Sequence, residues 1–234
     1  MTKFFNAEDG YYSLTQAGTI LFIVLIAIII LALAFIRYKA TDGEKEAKPS
    51  LFSPKQLVFS AVCIALAFVL SYVKLIHMPW GGSVTLCSML FVVLIGYMYG
   101  PKIGLFSALA YGLLQFLQGG GSYILSPLQV AFDYVLAFAV LGVSGFFNKK
   151  KHGLIIGYAV AVLLRGIMHS IGGYLYWMDY MPDNFPKSLA SVYPILYNFA
   201  YILPEAIITI AILCIPPVDK AIKYVKKMAV GETE

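Results

Sequence analysis

The chain has 234 residues, of which 60% are apolar and only 12% charged, with a mean hydropathy of +0.81 and a formal net charge of +5. Those proportions exclude an ordinary soluble domain and describe an integral membrane protein. Its three cysteines, Cys63, Cys87 and Cys214, stand singly in apolar segments, a pattern of small packing residues that indicates neither a disulfide framework nor a metal site.

In chain order, a first hydrophobic span covers residues 18–36. The segment before it carries Glu8 and Asp9 where a secretory leader would be basic, so the span is expected to be an uncleaved anchor. Residues 41–54 form a polar linker, and the chain divides near Ser50 into an N-terminal transmembrane anchor with its linker (1–50) and a membrane domain (51–234). In that domain, stretches near the length that crosses a hydrocarbon core cover residues 57–76, 84–99, 103–117, 125–147, 154–176 and 190–216. The expected fold is an all-α integral membrane protein: a six-helix bundle preceded by one extra N-terminal transmembrane helix.

Basic residues orient these spans. With the segment after the first span on the cytoplasmic side, that side collects thirteen of the seventeen Lys and Arg residues, including Arg37, Lys102, Lys149, Lys150, Lys151, Lys220, Lys223, Lys226 and Lys227. The opposite side keeps Lys3, Lys74 and Lys187. This asymmetry predicts a multi-pass protein of the cell membrane with its N-terminus outside and its C-terminus cytoplasmic. A basic face beside anionic membrane lipid accounts for the net charge with no nucleic-acid partner.

Two features of the six-helix unit go beyond hydropathy. Ala61 and Ala65, four apart, allow another helix to approach closely, either within the bundle or from a partner protein. The second feature is a set of ionisable residues at membrane depth, Asp133, Arg165, His169 and Glu205, which are expensive there and usually mark a ligand or ion pathway. Gln129 and Asp133 are four apart, as are Arg165 and His169, so each pair shares a helix face. Tyr123, Tyr134, Trp177, Tyr193 and Asn198 gather in the same part of the chain, Tyr123 beside three glycines that permit a sharp turn.

Each residue also has a plainer explanation: Asp133 and Arg165 as a neutralising pair, His169 as a satisfied core histidine, Trp177 as part of an aromatic belt at the membrane boundary. Taken together, a carboxylate at low dielectric, aromatic faces and neutral hydrogen-bonding groups suit a flat cationic heterocycle with polar substituents.

At these residues the chain resembles the thiamine-specific substrate-binding (S) components of energy-coupling-factor (ECF) transporters, the ThiT family, over about residues 55–226. The resemblance is carried by Met78-Pro-Trp-Gly-Gly-Ser-Val-Thr-Leu86, Tyr123-Ile-Leu-Ser-Pro-Leu-Gln129, Phe132-Asp-Tyr-Val-Leu-Ala-Phe138, Gly142-Val-Ser-Gly145, Leu163-Leu-Arg-Gly-Ile-Met-His-Ser-Ile-Gly-Gly173 and Tyr193-Pro-Ile-Leu-Tyr-Asn-Phe-Ala-Tyr-Ile-Leu-Pro204, in that order. It implies an S-component bundle that binds thiamine through Asp133, Tyr134, His169, Trp177, Tyr193 and Asn198, with Tyr123 on a closing loop. Trp80, Gln129 and Arg165 are implied at or behind the site, Arg165 orienting Asp133, while Glu205 finds no place in the pattern.

The resemblance further implies that Ala61 and Ala65 face a transmembrane coupling subunit, and that two ECF ATPase subunits hydrolyse ATP. This chain has no Gly-Lys dipeptide and so no Walker-type phosphate loop. No cofactor and no catalytic residue are implied. An S component for another vitamin or a thiamine precursor shares the fold but not the pocket. An intramembrane enzyme built on His169 and Ser170 would lack both a Gly-x-Ser-x-Gly elbow and a His-Glu-x-x-His motif.

Overall fold

The computed structural model describes residues 3–25, 28 and 52–231. The linker expected over 41–54, up to residue 51, lies outside the described residues, as does the second half of the first span; its first half is helical over Gln16–Leu25 (α1). Ahead of α1 stands a hairpin that hydropathy does not announce. Strand β1 (Phe5–Glu8) pairs antiparallel with β2 (Tyr11–Leu14), Glu8 opposite Tyr11, across the two-residue loop Asp9-Gly10. Gly10, at φ +89°, takes the left-handed backbone such a loop requires.

Helix α2 (Pro54–Ser71) starts on a capping box: Gln56 N donates to Ser53 Oγ at 3.3 Å and Ser53 N donates to Gln56 Oε1 at 2.9 Å, with Pro54 in the first turn. The span expected over 57–76 ends at Ser71. Beyond it β3 (Lys74–His77) pairs with β4 (Ser83–Thr85) around Gly81 and Gly82, both at positive φ. Hydropathy alone does not separate an apolar strand from the last turn of an apolar helix. For the same reason the next span begins as strand, and its helix α3 (Ser88–Tyr99) starts four residues later than the expected 84.

The bundle is built around α3. This helix is buried on every side, with Val92, Val93 and Ile95 fully enclosed, and it contacts α2, the following helix α4 (Pro101–Gln118), α5 (Pro127–Phe147) and α6 (Gly153–Tyr180). A helix that is apolar all round belongs at the centre of such an assembly. Two further helices complete the chain: α7 (Lys187–Leu213) and the amphipathic α8 (Pro216–Val230), where Lys223 Nζ donates to Asp219 Oδ2 at 2.5 Å. The six-helix unit is therefore α2 to α7. Among the described residues, α2, α5, α6 and α7 are long and apolar enough to cross a membrane, while α1 and α3 are shorter apolar helices.

Two of the long helices are irregular where the site lies. Helix α5 passes through a π-helical turn at Ala131–Leu136 and closes as a 3-10 helix over Val140–Phe147; α6 is regular over Gly153–Gly172, then widens into a π-helical turn at Gly173–Trp177. On α2, Cys63 and Ala67 face the core, whereas Ala61 and Ala65 are exposed, so the small-residue pair does not pack within the bundle. Cys214, expected as a packing residue, is exposed at the end of α7.

Candidate functional site

The site is organised by Asp133, held in the π turn of α5 and 8% exposed. Ser126 caps that helix, accepting from Gln129 N at 3.1 Å, and Gln129 in turn accepts from Leu125 N through Oε1 at 3.3 Å. The other end of the Gln129 amide is thereby aimed inward. Its Nε2 donates to Asp133 Oδ2 at 2.8 Å, and Trp177 Nε1 donates to the same oxygen at 2.8 Å. Both donors occupy Oδ2. Among the described residues Oδ1 has only His169 Nδ1 at 3.8 Å, so that oxygen keeps acceptor capacity unused.

Helix α6 brings the next group. A Cβ on Gly172 would lie 2.7 Å from Asp133 Oδ1, so only glycine lets α6 come this close. The π turn that follows carries Trp177 back over Asp133, a geometry that π turns often serve at functional sites. Below Gly172 on the same helix, Arg165 Nε donates to His169 Nε2 at 3.4 Å, and the guanidinium lies 4.5 Å from the centre of the Phe138 ring. Because His169 accepts through Nε2, its proton sits on Nδ1, facing Asp133. Among the described residues Arg165 thus reaches Asp133 only by way of His169, neither as the neutralising partner that two charges at membrane depth suggested nor as the direct orienting partner that the family resemblance implied.

Helix α7 supplies the opposite wall. Asn198, 6% exposed, donates from Nδ2 to Pro194 O at 2.8 Å and accepts from Tyr201 Oη at 2.8 Å. Tyr193, Tyr197 and Tyr201 recur every four residues on the same face. The Gly81-Gly82 tip of the β3–β4 hairpin rests on this row: a Cβ at Gly81 would stand 2.8 Å from Tyr197 Oη, and one at Gly82 2.4 Å from Tyr201 Cδ1. Trp80, just before the tip, meets Phe185 edge-on, and Phe185 meets Tyr193 in the same way.

These elements enclose a cavity of about 470 Å³, lined by Trp80, Gln115, Asp133, Tyr134, Phe138, Arg165, His169, Gly173, Trp177, Tyr180, Tyr193, Pro194, Tyr197, Asn198 and Tyr201. The size and the balance of aromatic faces with a few convergent polar groups suit a small-molecule ligand. Of the residues singled out from sequence, Asp133, Tyr134, Arg165, His169, Trp177, Tyr193, Asn198 and Trp80 line it. Two others stand behind the lining: Gln129 holds Asp133 from outside the cavity, and Tyr123 stacks on Trp177 with ring centroids 5.6 Å apart. The hydrogen bond with Tyr180 pushes the Tyr123 phenol up to about 12. Among the described residues, no group of His, Cys, Asp and Glu is arranged to hold a metal ion.

Several lining residues escape the sequence argument. Tyr197 and Tyr201 carry a usable signal, their four-residue spacing from Tyr193, whereas Gln115, Phe138 and Tyr180 carry none. Glu205, left unplaced by sequence, has a structural post away from the cavity. It is 3% exposed and accepts from Thr85 N (3.1 Å), Thr85 Oγ1 (2.6 Å), Ser88 Oγ (3.3 Å) and Met89 N (3.4 Å). Cys87, at the N-cap of α3, makes no side-chain capping bond, so Glu205 caps that buried helix end from α7 and meets its positive dipole with a carboxylate.

The family described as "Thiamine transporter protein (Thia_YuaJ)" matches residues 57–225. The thiamine transporter ThiT of Bacillus subtilis (strain 168) is 33% identical, the match covering 68% of this chain and 88% of that protein. The thiamine transporter ThiT of Lacticaseibacillus paracasei is 26% identical over 68% of this chain and 86% of its own length. A solved structure of ThiT from Listeria monocytogenes superposes with a TM-score of 0.54 at 28% identity, covering 69% of this chain and 94% of that one.

Proposed function

We propose, from the premise that the chain belongs to the thiamine transporter family, that the cavity between α5, α6 and α7 is its thiamine site and that the protein captures thiamine for uptake. The observation that carries this reading is Asp133, on the wall of an aromatic-lined cavity: one carboxylate oxygen is held by Gln129 and Trp177, and the other has no hydrogen-bond partner among the described residues. Thiamine joins a permanently charged thiazolium to an aminopyrimidine and a hydroxyethyl tail. An open carboxylate oxygen suits the ring amine or the cation, stacked aromatics suit the flat rings, and Asn198 and the tyrosine hydroxyls suit the remaining polar groups. On this reading Asp133, Tyr134, His169, Trp177, Tyr193 and Asn198 touch the ligand with Trp80, Arg165 lines the cavity and orients His169, and Gln129 and Tyr123 act from behind them.

The chain works, in this proposal, as the S component of an ECF transporter. Exposed Ala61 and Ala65 on α2 support docking of a transmembrane coupling subunit, and the lack of a Walker-type loop supports ATP hydrolysis by two separate ATPase subunits. The lysine asymmetry supports a cell-membrane location with the N-terminus outside and the C-terminus inside. A domain boundary near Ser50 is supported by the family match starting at residue 57. Titration of the purified protein with thiamine, followed by tryptophan emission, tests the reading. Saturable one-to-one quenching is expected. Preference for another vitamin or for the isolated pyrimidine over thiamine in competition would overturn it.

A further inference from the structure

We infer that the N-terminal hairpin β1–β2 is the outermost layer of the binding site and that Tyr11 is a positioning residue that slows ligand release. This rests on the cavity being the thiamine site. The hairpin precedes the segment 57–225 matched by the family, so the family match does not account for it.

Three kinds of contact tie the hairpin to the loop that ends in Tyr123 and Ile124. In an antiparallel bridge, Tyr12 N donates to Ile124 O at 2.7 Å and Ile124 N donates to Tyr12 O at 2.7 Å. The ring of Tyr11 stacks on Tyr123 with centroids 4.1 Å apart and planes 21° from parallel. Leu14 Cδ1 lies 2.9 Å from where a Cβ on Gly121 would stand, so β2 packs directly on the loop backbone. The stack then continues inward: Tyr123 lies on Trp177 at 26° between planes, and Trp177 Nε1 donates to Asp133 Oδ2. A line of contacts therefore runs from Tyr11 at the surface to the carboxylate in the cavity.

Physical chemistry makes each partner need the other. A lone two-stranded hairpin is marginal in water, and a loop containing Gly119, Gly120 and Gly121 loses more backbone freedom on ordering than any other tripeptide. Docked together, they order each other. To release a ligand, the loop must lift Tyr123 from Trp177, and with the hairpin attached it must also break two backbone hydrogen bonds and a ring stack or carry the hairpin with it. The hairpin pre-orders the loop and keeps Trp177 over Asp133, which is how a preorganised site retains its ligand.

The test uses the full chain in detergent and measures the thiamine dissociation rate by stopped-flow tryptophan emission after dilution into competitor. An aromatic stack is strong enough to change a rate by about two- to tenfold, so Tyr11→Ala is expected to raise the dissociation rate by that factor. Tyr11→Phe, which keeps the ring, should restore it. Tyr12→Pro, which removes the amide donor aimed at Ile124 together with the exposed Tyr12 ring, should raise it as well. A second readout needs no ligand: in a Trp80→Phe background, acrylamide quenching of the remaining Trp177 should increase with Tyr11→Ala but not with Tyr11→Phe. A lowered melting temperature with unchanged dissociation and quenching would make the hairpin merely structural and overturn the inference. Failure of the unmodified chain to bind thiamine would instead bring down the functional reading on which it rests.

Discussion

Replacing Asp133 by asparagine isolates what the open carboxylate oxygen does. In the native site Oδ2 accepts from Gln129 and Trp177, and Oδ1 has no hydrogen-bond partner among the described residues. The asparagine oxygen can still accept from both donors, because an amide carbonyl has two lone pairs. Its NH2 then takes the place of Oδ1, where an acceptor and a negative charge stood. Hydrogen bonds to charged groups contribute about 1.5–3 kcal/mol, so the affinity for thiamine should fall by about 10- to 150-fold while the melting temperature of the ligand-free protein changes little. Asp133→Ala, by contrast, leaves the buried Gln129 donor unpaired, at about 1–3 kcal/mol, and the half-buried Trp177 donor with it, and should lose stability as well as affinity. Emission titration gives the Kd, and thermal unfolding of the same preparations gives the stability. Asp133→Asn with native affinity, or Asp133→Ala with a native melting temperature, would refute the reasoning.

Gly172→Ala places a methyl group 2.7 Å from Asp133 Oδ1 and should weaken thiamine binding about tenfold or more by displacing that oxygen, as read by the same titration. Glu205→Ala orphans the Thr85 and Met89 amides and should destabilise the fold by about 2–6 kcal/mol, whereas Glu205→Gln, which still accepts hydrogen bonds, should lose less; an unchanged melting temperature in the alanine variant would remove Glu205 from its capping role. Ala65→Leu puts bulk on the exposed face of α2, so the isolated protein should bind thiamine normally but fail to co-purify with a coupling subunit. Normal co-purification would move the docking surface elsewhere.

Much of this fold was legible because hydropathy acts over whole spans: six apolar stretches became the six helices of the bundle, and their basic flanks became the Lys149–Lys151 and Lys220–Lys227 segments at one end. What escaped was local backbone geometry. The strands Lys74–His77 and Ser83–Thr85 are short apolar runs that look like helix ends until the Gly81-Gly82 turn is given its meaning. The Asp9-Gly10 loop is a genuine hairpin signal, overshadowed by the hydrophobic span that follows it. In the site, Gln129 and Asp133 were correctly paired by four-residue spacing, since α5 brings them to 2.8 Å. No spacing rule reveals that a π turn swings Trp177 onto Asp133, or that Glu205 closes on Thr85, 120 positions away in the chain. The aromatic row Tyr193, Tyr197, Tyr201 was visible in spacing, but aromatic residues near a membrane boundary have a commoner explanation.

The brevity of α3 bears on how the protein is made. Its 12 residues extend about 18 Å, well short of a hydrocarbon core of about 30 Å. Such a segment does not partition into a bilayer by itself and must be carried in by its longer neighbours during synthesis. Its bare N-terminal amides then wait for Glu205, which is translated more than a hundred residues later on the last long helix. Assembly of the centre of the bundle is therefore completed only once α7 has entered, and α7 is also the element that brings Tyr193 and Asn198 to the cavity. Membrane integration and construction of the binding site finish in the same step.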